Sequence, residues 1–389
     1  MPLIQLEFLT DDDEIINICK DYWEMDENLK FKQSVASIAK TFGLKSNQTS
    51  KFVAQHCNAK SAKIVCANCN EPHIFSNRSE FQYQQRYSNS ATWICSNCER
   101  AERQRKIEDQ KALEEQKRFL IREKFSIEKQ NRTLDIHSMS LENAVYLLSL
   151  VRLGASEDLD SVRPFSSISQ QLSPTQEYNN EIIKQLFREN LIFVHPHSHP
   201  DAFIFDGISI PQFYIGHVMW ALPTDPTSES PKELIINLES IFSTMDWPEH
   251  WHEEWNPLWK KIALEECLEY LNVCLDDHGF SFSPGEKTIL VFKNVLVNFS
   301  VSQTYSMIWR AAKDAAAFYV RKNVTKNHAA NTVVGSIQRY SERAKAEGWE
   351  VTKYGRDRRC PQSLISQVFF NTVLQIGDSG FNEPPASQN

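Results

Sequence analysis

Four cysteines stand in two pairs whose spacing suits a metal ion. Each pair is a CxxC motif, and 25 residues separate the first motif from the second. Two such motifs supply four thiolates, which complete the tetrahedral coordination of zinc and leave no open position for a substrate. The sequence therefore predicts one structural zinc ion bound by Cys66, Cys69, Cys95 and Cys98.

The same cysteines have two alternative interpretations. Four free buried thiols would need no metal, and a redox site would need only one CxxC motif, whereas the chain has two. His73 lies close to the first pair and is a candidate substitute ligand, although four cysteines suffice. Apolar residues before each motif (Ile64 and Val65, Trp93 and Ile94) predict strands leading into a zinc ribbon, with a polar hairpin and loop between them.

A pair of short helices is predicted directly before the first CxxC motif. Apolar residues between positions 35 and 42 repeat at helical spacing, and Gly43 suits the turn that follows. The second helix begins near Ser46 and carries exposed polar residues of types that reach base edges or phosphates. These residues are Lys45, Asn47, Gln48 and Lys51. The alternative is an ordinary pair of core helices.

Residues 34–98 resemble helix-turn-helix and zinc-ribbon proteins that bind nucleic acid. The resemblance implies a module that binds DNA or RNA. Arg78 and Arg86 of the ribbon are further candidate contacts with the nucleic acid. From Phe31 to Arg105, six lysines and five arginines stand against four glutamates, a balance of +7 in a chain whose net charge is −8. Such local clustering of cations is the charge footprint of nucleic-acid binding.

The segment after the ribbon is predicted to form a spacer and a second module. From Glu99 to Asn131 there is no Gly or Pro and a dense mixture of charges, which predicts a long solvated helix. Residues 133–226 predict a winged-helix-like domain with three helices and a hairpin over Ile192–Phe205. Its third helix carries more glutamates than lysines and arginines, which favours a protein-contact or architectural role.

The length of 389 residues allows several domains. The patterns predict a mainly α, multidomain protein: a helix-turn-helix plus a four-cysteine zinc ribbon, a winged-helix-like middle domain and a helical C-terminal domain. The expected boundaries are residues 1–60 for the helix-turn-helix, 61–100 for the ribbon, 101–132 for the charged spacer helix, 133–226 for the winged-helix-like domain and 231–382 for the helical C-terminal domain.

Arg321 and His328 are the residues of the C-terminal domain whose spacing suits catalysis. Six residues separate them in RKNVTKNH, and this arrangement resembles the RxxxxxxH end of the motif range in HEPN-type ribonucleases. The resemblance implies that the two side chains act together on a scissile phosphate, across a dimer of helical bundles. In the alternative interpretation, Arg321 ends one helix and His328 starts the next, and both are merely solvated.

A second basic block runs from Trp309 to Cys360, where twelve lysines and arginines stand against five acidic residues. Within it, Arg356, Arg358 and Arg359 form a basic loop, which is better suited to holding phosphate than to cutting it.

The preferred hypothesis is a nucleic-acid-binding protein with a regulatory or accessory role, for which DNA is favoured over RNA and no enzymatic activity is expected. Its rivals are a helical ribonuclease using Arg321 and His328, and a protein-interaction scaffold. The C-terminal domain is expected to bind a protein partner or to self-associate. No run approaches the roughly 18 apolar residues that span a bilayer. Nine cysteines without an export signal favour a cytoplasmic location without a membrane partner.

Overall fold

The computed structural model describes residues 3–87, 93–130 and 132–385, with the backbone alone described for 85–87. The chain is mainly helical, as the sequence predicts: helices cover 57% of it, whereas the eight strands of the described residues form only small sheets. It divides into two compact units, Met1–Glu114 (unit 1) and Glu115–Asn389 (unit 2). Within the described part, no helix combines the length and the apolar character needed to cross a bilayer.

Unit 1 combines short helices with one antiparallel sheet. Its elements are β1 (Ile4–Phe8), α1 (Asp13–Trp23), α2 (Val35–Thr41), α3 (Ser46–His56), β2 (Cys57–Val65), β3 (Pro72–Phe75), α4 (Arg78–Tyr87) and the first part of α5 (Ser96–Lys124). Strand β2 lies between β1 and β3 and pairs with both. Helices α1, α2 and α3 pack on one another, and α1 and α3 also contact β2.

The two short helices expected from the sequence are present as α2 and α3. Gly43 adopts a φ of +66°, a left-handed conformation that glycine accepts without strain, and this permits the turn between them. Thr49 and Val53 on α3 are buried, and the Tyr22 hydroxyl donates to Ser50 Oγ at 2.8 Å. One side of α3 is therefore fixed to the core of unit 1, and the opposite side faces solvent.

Helix α4 lies where the sequence predicted only a hairpin and loop, so that prediction is wrong over residues 78–87. Phe81 is buried and packs edge-on against Trp23 and Phe75, with ring centroids 6.4 and 5.1 Å away. Asn77 accepts a hydrogen bond from the backbone N–H of Glu80 at 2.9 Å and caps the first turn. The buried ring of Phe81 and this cap therefore help to hold a helix whose sequence is mostly polar.

Unit 2 is built around one large apolar core that extends from the end of α5 to the C-terminal helices. Its elements after α5 are α6 (Leu141–Gly154), β4 (Ser161–Val162), α7 (Gln176–Arg188), β5 (Phe193–Val194), β6 (Phe203–Asp206), β7 (Ser209–Phe213), β8 (Trp220–Ala221), α8 (Pro231–Thr244), α9 (Trp251–Asp276), α10 (Glu286–Leu296), α11 (Val301–Lys322), α12 (Lys326–Glu347), α13 (Leu364–Gln367) and α14 (Ser379–Asn382). Helix α13 continues into a π-helical turn, Val368–Val373.

The middle segment shares this core with the C-terminal helices. Helix α6 is buried along most of its length and packs on α7, α8, α9 and α13. The hairpin predicted within Ile192–Phe205 is not formed, because β5 pairs with β8 and β6 pairs with β7. The hairpin lies one strand later, where Gly207, with a φ of +58°, supplies the turn between β6 and β7.

Candidate metal centre and neighbouring surfaces

The four cysteines predicted to bind metal meet in unit 1. Their sulfur atoms all lie within 4.8 Å of one another, and the Sγ atoms of Cys69 and Cys95 are 3.7 Å apart. A tetrahedral ion with metal–sulfur bonds of about 2.3 Å holds its sulfurs about 3.8 Å apart. All nine cysteines lie in the described part of the chain and are free thiols. The cluster therefore fits a four-thiolate metal site.

The first CxxC motif forms the turn between β2 and β3. The backbone N–H of Cys66 donates to the carbonyl of Glu71 at 2.8 Å, and the N–H of Asn70 donates back to the carbonyl of Cys66 at 2.9 Å. Asn70 adopts a φ of +59°, a left-handed conformation that asparagine tolerates better than most residues. This tight turn brings the side chains of Cys66 and Cys69 to the same end of the hairpin.

The second CxxC motif forms the start of α5. Cys95 directly precedes the helix and Cys98 lies in its first turn, where the N–H of Cys98 points at the Sγ of Cys95 at 3.4 Å. A hydrogen bond of 2.9 Å from Ala67 N to Trp93 O joins the two motifs. Trp93 and Ile94 are not in a strand, so the expected strand before this motif is wrong, and a helix N-terminus takes its place.

Backbone N–H groups stabilise negative charge on one sulfur of the cluster. The N–H of Cys95 points at Cys66 Sγ at 3.3 Å. This contact, with further donors at Asn68 and Cys69, lowers the pKa of Cys66 to about 6. Hydrogen bonds to the sulfurs of Cys69 and Cys95 raise the pKa of Cys98 to about 12, and repulsion from negative charge on Cys66 adds to this shift. A cation bound among the four sulfurs would relieve that repulsion.

His73 is not part of the cysteine cluster. Its Nε2 lies 3.0 Å from Glu80 Oε1, and its ring packs edge-on against Phe75 and Trp93, with both centroids at 4.8 Å. Burial alone would raise the pKa of Glu80, but hydrogen bonds from Ser76 and the neighbouring His73 hold it below its usual value. His73 therefore supports the hairpin beside the cysteine cluster, and the candidate ligand set consists of the four cysteines.

The residues predicted to reach nucleic acid on α3, and Lys45 at its N-cap, all face solvent. Asn47, Gln48 and Lys51 are spaced so that they share one face, opposite the buried Thr49 and Val53. Lys45, Asn47, Gln48 and Lys51 are all exposed.

Arg78, another predicted nucleic-acid contact, lies in the core of unit 1 and is 8% exposed. Its Nη1 donates to the carbonyl of Gln33 at 2.6 Å, and its Nε donates to the carbonyl of Tyr22 at 2.5 Å. The guanidinium also lies between the rings of Tyr22 and Phe31, 4.4 and 4.3 Å from their centroids. Arg78 is therefore buried and unavailable to a ligand, so its prediction as a nucleic-acid contact is corrected to a structural role. The side chain of Arg86 lies outside the described residues.

Carboxylates engage two of the three arginines in the predicted phosphate-holding loop. Arg356 pairs with the buried Glu266 at 2.9 Å, and Arg359 pairs with Asp277 at 2.5 Å. Arg358 is exposed. The pair of Arg356 with a buried carboxylate corrects its predicted role to a structural one, whereas the phosphate-binding role of the exposed Arg358 and Arg359 stays a prediction.

Arg321 and His328 lie on either side of the short connection between α11 and α12, and both are exposed. Arg321 Nε donates to the carbonyl of Ala317 at 3.3 Å, within its own helix. The backbone N–H of His328 donates to the capping Thr325 Oγ1 at 3.2 Å, and its ring lies 5.7 Å from that of Phe318. The described contacts of both residues are those of a helix end and a helix start.

Three arginines of the second basic block come together at a place that the sequence analysis did not identify. Arg310 on α11 lies with Arg339 and Arg343 of α12 around a shallow groove of about 350 Å³. Arg339 and Arg343 are one helical turn apart, which the sequence shows. The approach of Arg310 to them depends on the packing of α11 on α12, which the sequence does not show.

Comparison of the chain with models of protein families, with curated proteins and with solved structures found no match in any of the three. Its function is therefore inferred from its own geometry and charge.

Proposed function

We propose that unit 1 is a zinc-stabilised module that binds duplex DNA through α3, in a protein with a regulatory or accessory role. One observation carries this proposal. The solvent face of α3 and its N-cap residue together present two lysines, one asparagine and one glutamine, and no acidic residue occurs from Lys45 to His56. The four residues concerned are Lys45, Asn47, Gln48 and Lys51.

The chemistry of this face matches the major groove. Lysine side chains bind phosphates, and asparagine and glutamine can each form two hydrogen bonds with adenine. Helix α3 has 11 residues, which corresponds to a length of about 16 Å. A helix of this length fits a groove about 12 Å wide when its inner face is held by its own domain, as Thr49 and Val53 hold α3.

The metal site supports the module without taking part in chemistry. We assign the ion as zinc because four thiolates in a closed tetrahedral set are a typical zinc site. Strand β2 follows α3 directly and ends at the first cysteine pair, so the ion would tie the far end of the hairpin to the start of α5. Such a small domain gains stability from a structural metal, and the position of α3 depends on that stability.

Charge placement is consistent with a polyanionic ligand at this unit. The stretch Phe31–Arg105 carries an excess of seven positive charges, although the whole chain carries a net charge of −8. A local cation cluster in an acidic protein favours a defined contact over general adhesion to polyanions.

A pair of charge-matched variants tests the proposal in the full-length, zinc-loaded chain. K45A/K51A removes two lysines from the α3 face, and K30A/K111A removes two exposed lysines elsewhere in unit 1. Binding to fluorescein-labelled duplex DNA should weaken at least about tenfold in K45A/K51A and only about twofold in the control.

N47A/Q48A should reduce the preference among DNA sequences without changing the salt dependence. Equal losses in the two lysine pairs, or no binding by the parent chain, would refute the proposal.

A further inference from the structure

A second surface in unit 2 has the composition of a ligand site. Helices α11 and α12 pack against each other and are joined by only three residues, so they run antiparallel. Between them lies the groove of about 350 Å³, whose polar lining is formed by residues of both helices. These residues are Arg310, Asp314, Ser336, Arg339, Tyr340 and Arg343.

The groove continues along α12 into a neighbouring depression. Arg339 lines both, and the second has a volume of about 560 Å³ and is also lined by Lys287 and Asn331. Gly335 lies in its wall, where an added Cβ would approach Arg339 Nη1 to 3.4 Å. A glycine inside a helix costs about 1 kcal/mol relative to alanine, and here it leaves space beside the guanidinium.

The cations of this surface are mostly not neutralised by the protein. Arg339 donates to the hydroxyl of Ser336 at 3.0 Å, and Arg310 lies over the ring of Tyr340 at 4.7 Å. Among the three arginines that line the groove, and within the described residues, only Arg343 pairs with a carboxylate. Its partner is Glu347, 2.8 Å away. Both partners of that pair are exposed, so water screens it and a phosphate can compete for the guanidinium.

Aromatic rings accompany these cations. Trp309 and Trp349 are 43% and 38% exposed, which is unusual for so large an apolar side chain. Lys313 lies 4.9 Å from the ring of Trp309, and Arg343 lies 4.9 Å from that of Trp349. The ring of Trp349 is in turn 6.0 Å from that of Tyr340 in the groove. Tyr340 and Trp349 therefore lie beside the arginines of the groove, whereas the spacing along α11 places Trp309 and Lys313 on the other side of that helix.

We propose that the α11–α12 groove binds a single strand of nucleic acid. Exposed aromatic rings stack on unpaired bases, guanidinium groups bind phosphates, and neither contact depends on base sequence. A duplex offers no exposed base faces to Tyr340 and Trp349, and a purely acidic peptide would leave both rings without a partner. This site lies in unit 2 and does not rest on the function proposed for α3.

The test uses the full-length, zinc-loaded chain in the K45A/K51A background, so that the α3 surface does not contribute. R310A/R339A/R343A is compared with K260A/K322A/K345A, which removes the same charge from exposed lysines of unit 2 outside the groove. Affinity for fluorescein-labelled oligothymidylate should fall at least about tenfold in the arginine variant and about threefold or less in the control. The slope of log K against log salt should become shallower by about 2 in the arginine variant.

N331E places a carboxylate in the adjoining depression at an exposed helix position, where it does not threaten the fold. It should weaken oligothymidylate binding several-fold while leaving the thermal unfolding temperature unchanged.

Several results would overturn the proposal: no binding of oligothymidylate in this background, equal losses in the arginine and lysine variants, or equally tight binding of polyglutamate. Loss of duplex binding by K45A/K51A is a separate result, so the α3 site and the groove can fail independently.

Discussion

The Sγ atoms of Cys69 and Cys95 lie 3.7 Å apart, although 26 positions separate the two residues in the chain. One sulfur comes from a hairpin turn and the other from the residue that begins a helix. Four thiolates at such distances repel one another unless a cation lies between them. Metal binding and the folding of unit 1 should therefore be coupled.

The purified chain should contain about one zinc ion. C69S should lose that zinc and lower the unfolding temperature of unit 1, because three thiolates no longer close the site. C57A, which removes a buried thiol outside the cluster, should keep the metal. Metal analysis and circular dichroism on the same samples check this. A metal-free chain that remains folded and melts like the parent would show that the cluster needs no ion.

Arg78 should prove to be a stabilising residue of unit 1. R78K should lower the free energy of unfolding by about 2 kcal/mol, because an ammonium group cannot reproduce the contacts with three backbone carbonyls and two rings. R100K, at an exposed position on α5, should change it by less than about 0.5 kcal/mol. Urea unfolding measures both, and equal effects would argue against the buried role of Arg78.

Glu269 should make the stability of unit 2 depend on pH. Burial raises its pKa from 4.5 to about 7, despite a hydrogen bond from Gln171. The folded state therefore favours the protonated carboxyl, and this contribution is fully present below 4.5 and is lost as the pH rises through about 7. E269Q should be more stable than the parent by about 2 kcal/mol near pH 8 and should match it near pH 4.5.

Thermal unfolding at the two pH values measures this difference. E249Q, at an exposed position in the same unit, is the control and should change stability equally at both. A constant offset between E269Q and the parent would show that the carboxyl of Glu269 ionises as freely in the folded state as in the unfolded one.

Arg321 and His328 should not form a nuclease site. Each makes the contacts expected at a helix end or start. The parent chain should therefore leave a labelled single-stranded RNA intact, and R321A/H328A should behave identically. Cleavage by the parent that disappears in the double variant, while oligothymidylate binding is retained, would restore the ribonuclease interpretation.

Local spacing was enough to predict that the four cysteines come together and that two short helices precede them. Two CxxC motifs limit the geometry whatever surrounds them, and Gly43 between two apolar repeats marks a turn. Helix α4 was missed because its sequence shows no apolar stripe, and the contacts that hold Phe81 and Arg78 in the core are made to residues distant in the chain.

The sequence could not predict whether each arginine is buried or faces solvent, because this depends on partners distant in the sequence. Arg78 finds its acceptors at Tyr22 and Gln33, and Arg356 finds a carboxylate at Glu266. A count of charges along the chain cannot distinguish such buried cations from those that face solvent. The same count located the second basic block correctly but could not show that Arg310 lies beside α12.

The affinity of the zinc-loaded chain for duplex DNA as a function of salt tests the central claim most directly. If about six phosphates are contacted, log K should fall linearly with log salt with a slope of about −5, and K45A/K51A should make that slope shallower by about 2. A flat profile for the parent, or a slope that K45A/K51A leaves unchanged, would contradict binding through α3.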